Sequence, residues 1–144
     1  MIATREVQAS DEALKPARRA RVLIVDDEPG VLRVLQLVLG RYHDLFTERS
    51  AEAAVERIAR GERFDFIFSD LMMPGMDGIR MLKELMRVSP NQAQRLVFLT
   101  GGASTPEARV FLATTTHRLI EKPFDADEIL GFISSHLDQE SSLP

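Results

Sequence analysis

The sequence predicts an α/β fold in which one parallel sheet carries helices on both faces. Three features point there. Short apolar runs alternate with segments of helical periodicity across most of the 144 residues. The clearest run is apolar residue after residue, the pattern of a strand buried on both faces. Polar or acidic side chains follow the runs, and in such a sheet ligands bind just beyond the carboxyl ends of the strands.

The first run, Val22-Leu23-Ile24-Val25, ends at Asp26 and Asp27. Pro29 suits the first turn of a helix reaching about Leu39, with Gly40 as its stop. Asp44 to Thr47 reads as a weaker second strand. Ser50 is placed to N-cap a helix carrying Ala54, Val55 and Ile58 and ending at Gly61. Phe64 to Ser69 is the third strand, followed by Asp70. The turn residues Met73-Pro74-Gly75-Met76-Asp77-Gly78 lead into a helix with Ile79, Leu82, Leu85 and Met86 on one face. Leu96 to Leu99 is the fourth strand, followed by Thr100-Gly101-Gly102. A short helix from about Thr105 to Ala113 takes Pro106 in its first turn. His117 to Ile120 is the fifth strand, ending at Glu121-Lys122-Pro123. The last helix carries Ile129, Ile133 and Leu137 at i, i+4 and i+8. Five strands and five helices are expected, joined by right-handed crossovers. Residues 1–20 read as a flexible leader, 21–138 as the folded domain, and 139–144 as a frayed C-terminal tail.

Composition narrows the function classes. Cysteine is absent, so neither a disulfide framework nor a thiolate metal site is available, in keeping with a reducing cytoplasm. No apolar run approaches the roughly 20 residues that span a bilayer. Met1 to Ala20 lacks the apolar core of a secretory signal. The net charge of −4 offers no overall attraction to nucleic acid. Lys15, Arg18, Arg19 and Arg21 form a basic cluster that reads as a solubilising flank. His43, His117 and His136 lack metal-ligand spacing and read as surface or edge histidines. Met81 and Met86 read as packing residues. Glu28 reads as an acid favoured by a helix N-terminus, and Asp77 as a turn or cap residue.

The chemistry collects at the strand ends. Asp26 and Asp27 follow strand one, Asp70 strand three, Thr100 strand four and Lys122 strand five. Three crowded carboxylates repel one another unless a cation sits among them. Oxygen ligands without Cys or His favour a hard ion, and magnesium is the usual one. Lys122 supplies a point charge for a phosphoryl oxygen, Thr100 a hydroxyl, and Gly101 and Gly102 room for close backbone approach. This set suits phosphoryl transfer onto a carboxylate, which needs mainly positioning and charge neutralisation. Asp70, between the paired acids and Thr100, is the best nucleophile.

Val22 to Asp27, Ser69-Asp70-Leu71-Met72-Met73-Pro74-Gly75-Met76-Asp77-Gly78, Leu99-Thr100-Gly101 and Glu121-Lys122-Pro123-Phe124 occur in order and at fitting spacings. They closely resemble the receiver domains of two-component response regulators, over roughly residues 20 to 138. The resemblance implies a flavodoxin-like doubly wound sheet of order 2-1-3-4-5. It implies that Asp70 accepts a phosphoryl group from a sensor histidine kinase or a histidine phosphotransfer protein. Asp26 and Asp27 would hold Mg2+, one directly and one through water, with Asp70 and the Met72 backbone carbonyl as further ligands. Thr100 would move toward the phosphoryl group and Lys122 would pair with it. Pro123 follows Lys122 through a peptide bond typically cis in the family.

By the same resemblance, the chain would catalyse only its own phosphorylation and dephosphorylation. It would signal to a downstream protein through the face made by the fourth helix, fifth strand and fifth helix. A bacterial, cytoplasmic protein is expected, monomeric or dimerising on phosphorylation. With no output domain after Leu137, a single-domain receiver or phosphorelay intermediate is the simplest expectation. One position departs from the pattern: Leu119 stands where receivers usually carry a Tyr or Phe switch. Met72 and Gly102, which cannot orient an attacking water, imply slow-to-moderate self-dephosphorylation.

Two other classes compete. A magnesium phosphatase of the haloacid-dehalogenase kind also uses an Asp nucleophile, but places D-x-D after its first strand, where this chain has Asp26-Asp27-Glu28. A pseudo-receiver that binds partners without phosphorylation would not need the intact acids, Thr100 and Lys122.

Overall fold

The computed structural model describes residues 18–102 and 104–141. Five strands, β1 (Arg21–Val25), β2 (Asp44–Glu48), β3 (Phe66–Asp70), β4 (Leu96–Thr100) and β5 (Arg118–Glu121), form one sheet in the order β2-β1-β3-β4-β5. Every neighbouring pair is parallel. The expected α/β class and strand order are both present.

Six helices lie among the described residues: α1 (Pro29–Leu39), α2 (Ala51–Ala59), α3 (Gly78–Val88), α4 (Pro90–Ala93), α5 (Pro106–Thr114) and α6 (Ala126–Ser141). The sequence predicted five, and the addition is the single turn α4. Ser89 lies outside the helical region (φ −159°, ψ 88°), which proline disfavours for the residue before it, so α3 stops and Pro90 opens a new turn. In that turn the buried Gln92 side chain accepts from Phe64 N–H (2.8 Å) and donates to Phe64 O (3.1 Å). The Phe64 backbone is thereby taken, and β3 begins at Phe66, two residues later than expected.

Strand residues alternate between two cores because successive side chains point to opposite faces. Leu23, Val25, Ile67 and Phe98 pack with Ala54 and Ile58 of α2 and Met81, Leu82 and Leu85 of α3. Val22, Ile24, Phe66, Phe68, Val97 and Leu99 pack with Leu32, Leu35 and Leu39 of α1 and Ile129, Ile133 and Leu137 of α6. Central strands buried on both faces explain the unbroken apolar runs. Ser50 and Asp77 cap α2 and α3 as expected, accepting from Ala53 N–H and Arg80 N–H. Gly61, just past α2, takes φ +109°, which a glycine adopts without penalty.

Several expectations need correction. Helix α6 continues to Ser141, past the predicted fraying at Gln139. Met86 is 59% exposed rather than packed. His43 is buried, with Nδ1 accepting from Ala20 N–H at 3.1 Å. The described part of the leader is tied down: Ala20 is buried, Arg18 pairs with Asp65 (3.1 Å), and Arg19 with Asp44 (3.0 Å). Arg21 lies over the Phe46 and Phe64 rings. Lys15, with the rest of residues 1–17, and residues 142–144 lie outside the described residues. Among the described residues no helix is long and apolar enough to cross a membrane.

The chain passes from β1 outward to β2, then crosses back to lay β3 on the other side of β1. That reversal opens a crevice at the carboxyl ends of β1 and β3.

Candidate functional site

Asp26 is the first residue past β1, its N–H extending the ladder to Glu48 O at 3.1 Å. Its side chain is fully buried, and Oδ1 accepts from Glu28 N–H at 2.9 Å. Oδ2 is buried with no hydrogen-bond partner. Asp27 beside it is half-buried. Asp70 ends β3, also buried, with Oδ1 accepting from Met72 N–H (3.3 Å) and Oδ2 from Lys122 Nζ (3.1 Å). Ligand oxygens of Asp26, Asp27 and Asp70 all lie within 4.8 Å of one another.

Lys122 follows β5, and its N–H reaches Thr100 O at 2.7 Å across the strand ends. The Lys122–Pro123 bond is cis. Thr100 ends β4 and is buried, but its hydroxyl does not touch Asp70. It accepts from Gly102 N–H and donates to Gly102 O, both at 3.1 Å. Leu119 is 38% exposed. With Thr100, Leu112 and Lys122 it lines a hollow of roughly 370 Å³. The structure therefore gathers Asp26, Asp27, Asp70 and Lys122, and leaves Thr100 and Leu119 one step away.

Electrostatically the site is under-neutralised. Burial pushes the Asp26 carboxyl above the usual range, opposed by the Glu28 N–H, with the Asp70 charge adding to the rise and Lys122 lowering it. One lysine faces three carboxylates, and a buried oxygen without a donor is costly. A hard divalent cation fits this donor set: it would take the free Asp26 oxygen and offset the repulsion. Glu28 is exposed and outside the cluster, at the N-cap of α1, as its reading as a helix-terminal acid implied.

Sequence reasoning missed three supporting residues. Ser69 is buried, its hydroxyl donating to Asp70 O at 3.0 Å. Glu52 on α2 accepts from Met76 N–H at 3.1 Å, bracing the loop after Asp70 from 24 positions away. Nothing local in the sequence signals that contact. Gly78 belongs to the turn-rich motif after Asp70, but its close packing is not visible there. A Cβ at Gly78 would lie 3.0 Å from Leu71 Cα and Phe98 Cε1 and 3.1 Å from Asp70 O, so the glycine lets α3 start this close to the end of β3 without crowding it.

A family model described as the response regulator receiver domain matches residues 22–134. Transcriptional regulatory protein GlrR of Escherichia coli K12 is 32% identical over 124 residues, covering 85% of this chain and 27% of that protein. Sporulation initiation phosphotransferase F of Bacillus subtilis is 29% identical over 123 residues, covering 85% of this chain and 97% of that protein. The chain thus spans about a quarter of the first curated relatives' length and nearly all of the Bacillus subtilis phosphotransferase. Among solved structures, the signal receiver domain of an HD domain-containing protein from Pseudomonas fluorescens Pf-5 superposes with a TM-score of 0.69 at 26% identity. It covers 88% of this chain and 100% of that one. A CheY-like receiver domain protein from Methanospirillum hungatei JF-1 shares the fold at a TM-score of 0.71 and 23% identity, covering 85% and 97%.

Proposed function

Because the chain belongs to the response regulator receiver domain family, we propose that it is a phosphorylation-dependent signalling switch whose acceptor is Asp70. The observation that carries this is the Lys122 Nζ contact, 3.1 Å from Asp70 Oδ2, beside two further carboxylates. The donor would be a phosphohistidine on a sensor kinase or a phosphotransfer protein. Asp70 attacks phosphorus, the P–N bond breaks, and the histidine leaves as a neutral imidazole after taking a proton. Receiver domains bind Mg2+ at an acidic pocket, and here Asp26, Asp27, Asp70 and the Met72 carbonyl would hold it. Held there, it would supply positive charge to offset the charge developing on the transferred group. Lys122 stabilises one phosphoryl oxygen, and Thr100 gives up its turn with Gly102 to bond another.

Moving Thr100 changes the walls of the hollow that it shares with Leu119 and Leu112. Leu119 can repack into that space, though without an aromatic ring or hydroxyl to present outside. We assign output to the α5, β5 and α6 face, where Val110 is also exposed. The chain would act in the bacterial cytoplasm, through residues 21–138, on a downstream protein rather than on nucleic acid. Monomer or phosphorylation-dependent dimer are both compatible with such a face. Met72 and Gly102 offer no side chain to position a hydrolytic water, so the acyl phosphate should turn over slowly to moderately.

Incubation with acetyl phosphate and Mg2+ followed by intact-mass measurement tests the reading. One phosphoryl adduct is expected, abolished by Asp70→Asn and by chelation. An adduct surviving in Asp70→Asn, or none on the unaltered protein, would overturn it.

A further inference from the structure

A second concave site lies at the opposite rim, where β3, β4 and β5 begin, under α6. It is a hollow of roughly 500 Å³, within the size range of small-molecule sites. Strand register explains its character. Phe68 of β3 pairs with Val97 of β4, and Val97 with Arg118 of β5. Side chains in one such row share a face, so Arg118 occupies a position whose equivalents on β3 and β4 are core residues. The Arg118 side chain is exposed and has no hydrogen bond or ion pair among the described residues. Arg95 lines the same hollow.

One acid borders it, Asp65, which Arg18 (3.1 Å) and Arg21 N–H (2.8 Å) engage and which the Arg95 charge also faces. The apolar wall is aromatic. Phe132 meets Phe66 edge-on at 6.3 Å and stacks on the His136 ring at 4.0 Å. His136 Nδ1 is held by Phe132 O at 2.8 Å, which leaves Nε2 for another partner.

We propose that this hollow binds a small anion carrying a flat aromatic ring, of the nucleoside monophosphate class. The ring would pack against Phe132 and His136, and the phosphate would pair with Arg118, with the charge of Arg95 beside it. It is separate from the acceptor site, because its lining residues stand at the strand beginnings and the carboxylates at the strand ends. A receiver so equipped would take a second, diffusible input.

Adenosine monophosphate titrated into the isotopically labelled full chain, followed by amide spectra, tests this. Shifts are expected at residues 95, 118, 132 and 136, unchanged in Asp70→Asn. Arg118→Gln should weaken binding about tenfold, the loss of one charge-assisted contact. Arg118 is exposed, so the variant's own spectrum shows whether the fold is kept. Adenosine and inorganic phosphate, tested singly, should each bind more weakly than the monophosphate. No shift at this rim at millimolar nucleotide would overturn the proposal. So would phosphate alone matching the nucleotide, or shifts confined to the Asp70 rim.

Discussion

Asp26 sits fully buried with one oxygen on the Glu28 N–H and the other without a donor. Its carboxyl is held above the usual range, chiefly by burial. A folded-state value above the unfolded one means that the native protein binds the extra proton more tightly. The associated stability is present at low pH and is lost as pH rises through the raised value. In metal-free protein at neutral pH, Asp26→Asn should therefore raise stability, by about 1 kcal/mol. The same change should remove most of the stabilisation that Mg2+ confers on the parent. Urea unfolding with and without Mg2+ measures both, and an asparagine variant that is less stable in chelator would contradict the account. Asp70 and Lys122 were legible from the sequence because each follows an apolar run. The orphaned oxygen of Asp26 was not, since burial depends on what α1 and β3 place over it.

Among the elements, α1 is two-sided in a way its sequence only half declares. Leu32, Leu35 and Leu39 are buried against the sheet, as helical spacing requires. Val34 and Leu37, three apart on the other face, stand 56% and 69% exposed, on the helix that opens just after the acid pair. Exposed aliphatic residues on a helix beside the proposed acceptor site suit a protein docking surface. Val34→Glu with Leu37→Glu should slow phosphotransfer from a protein donor at least tenfold, a loss of about 1.4 kcal/mol of docking. Labelling by acetyl phosphate should be unaffected, and equal losses with both donors would count against docking at α1. Helix ends were the most readable parts of the elements: Ser50 and Asp77 cap where predicted. Helix α4 was not readable, because its one turn is held by the distant Phe64 backbone through Gln92.

Across the whole molecule, the chain entering β1 is latched to the end of α1. Arg19 donates to the carbonyls of Gly40 (3.0 Å), Arg41 (3.2 Å) and His43 (2.8 Å), acceptors of the turn that follows the helix. Ala20 N–H donates to His43 Nδ1, so the ring proton sits on Nε2, buried without an acceptor. Burial first, and the Arg19 charge second, hold His43 below its ordinary value; Asp44 and Asp65 oppose them and Arg18 adds to them. The unfolded chain then binds more protons between the lowered value and about 6.5. Stability should fall as pH drops through that window, by up to about 1.4 kcal/mol per pH unit. His43→Asn, which keeps an acceptor for Ala20, should remove this part of the slope. Urea midpoints between pH 5 and 8 decide it, and an unchanged slope in the variant would assign it elsewhere.

Local pattern carried the α/β class, the places of the five strands and the identity of the acid, hydroxyl and lysine at their ends, because apolar periodicity and turn chemistry act over a few residues. Tertiary structure decided what depends on distant chain. It buried His43 and exposed Met86, held Phe64 out of β3, braced the Asp70 loop with Glu52, and turned Thr100 toward Gly102 rather than Asp70. It also set Arg118 in the row of Phe68 and Val97, a juxtaposition created by strand register and invisible along the sequence.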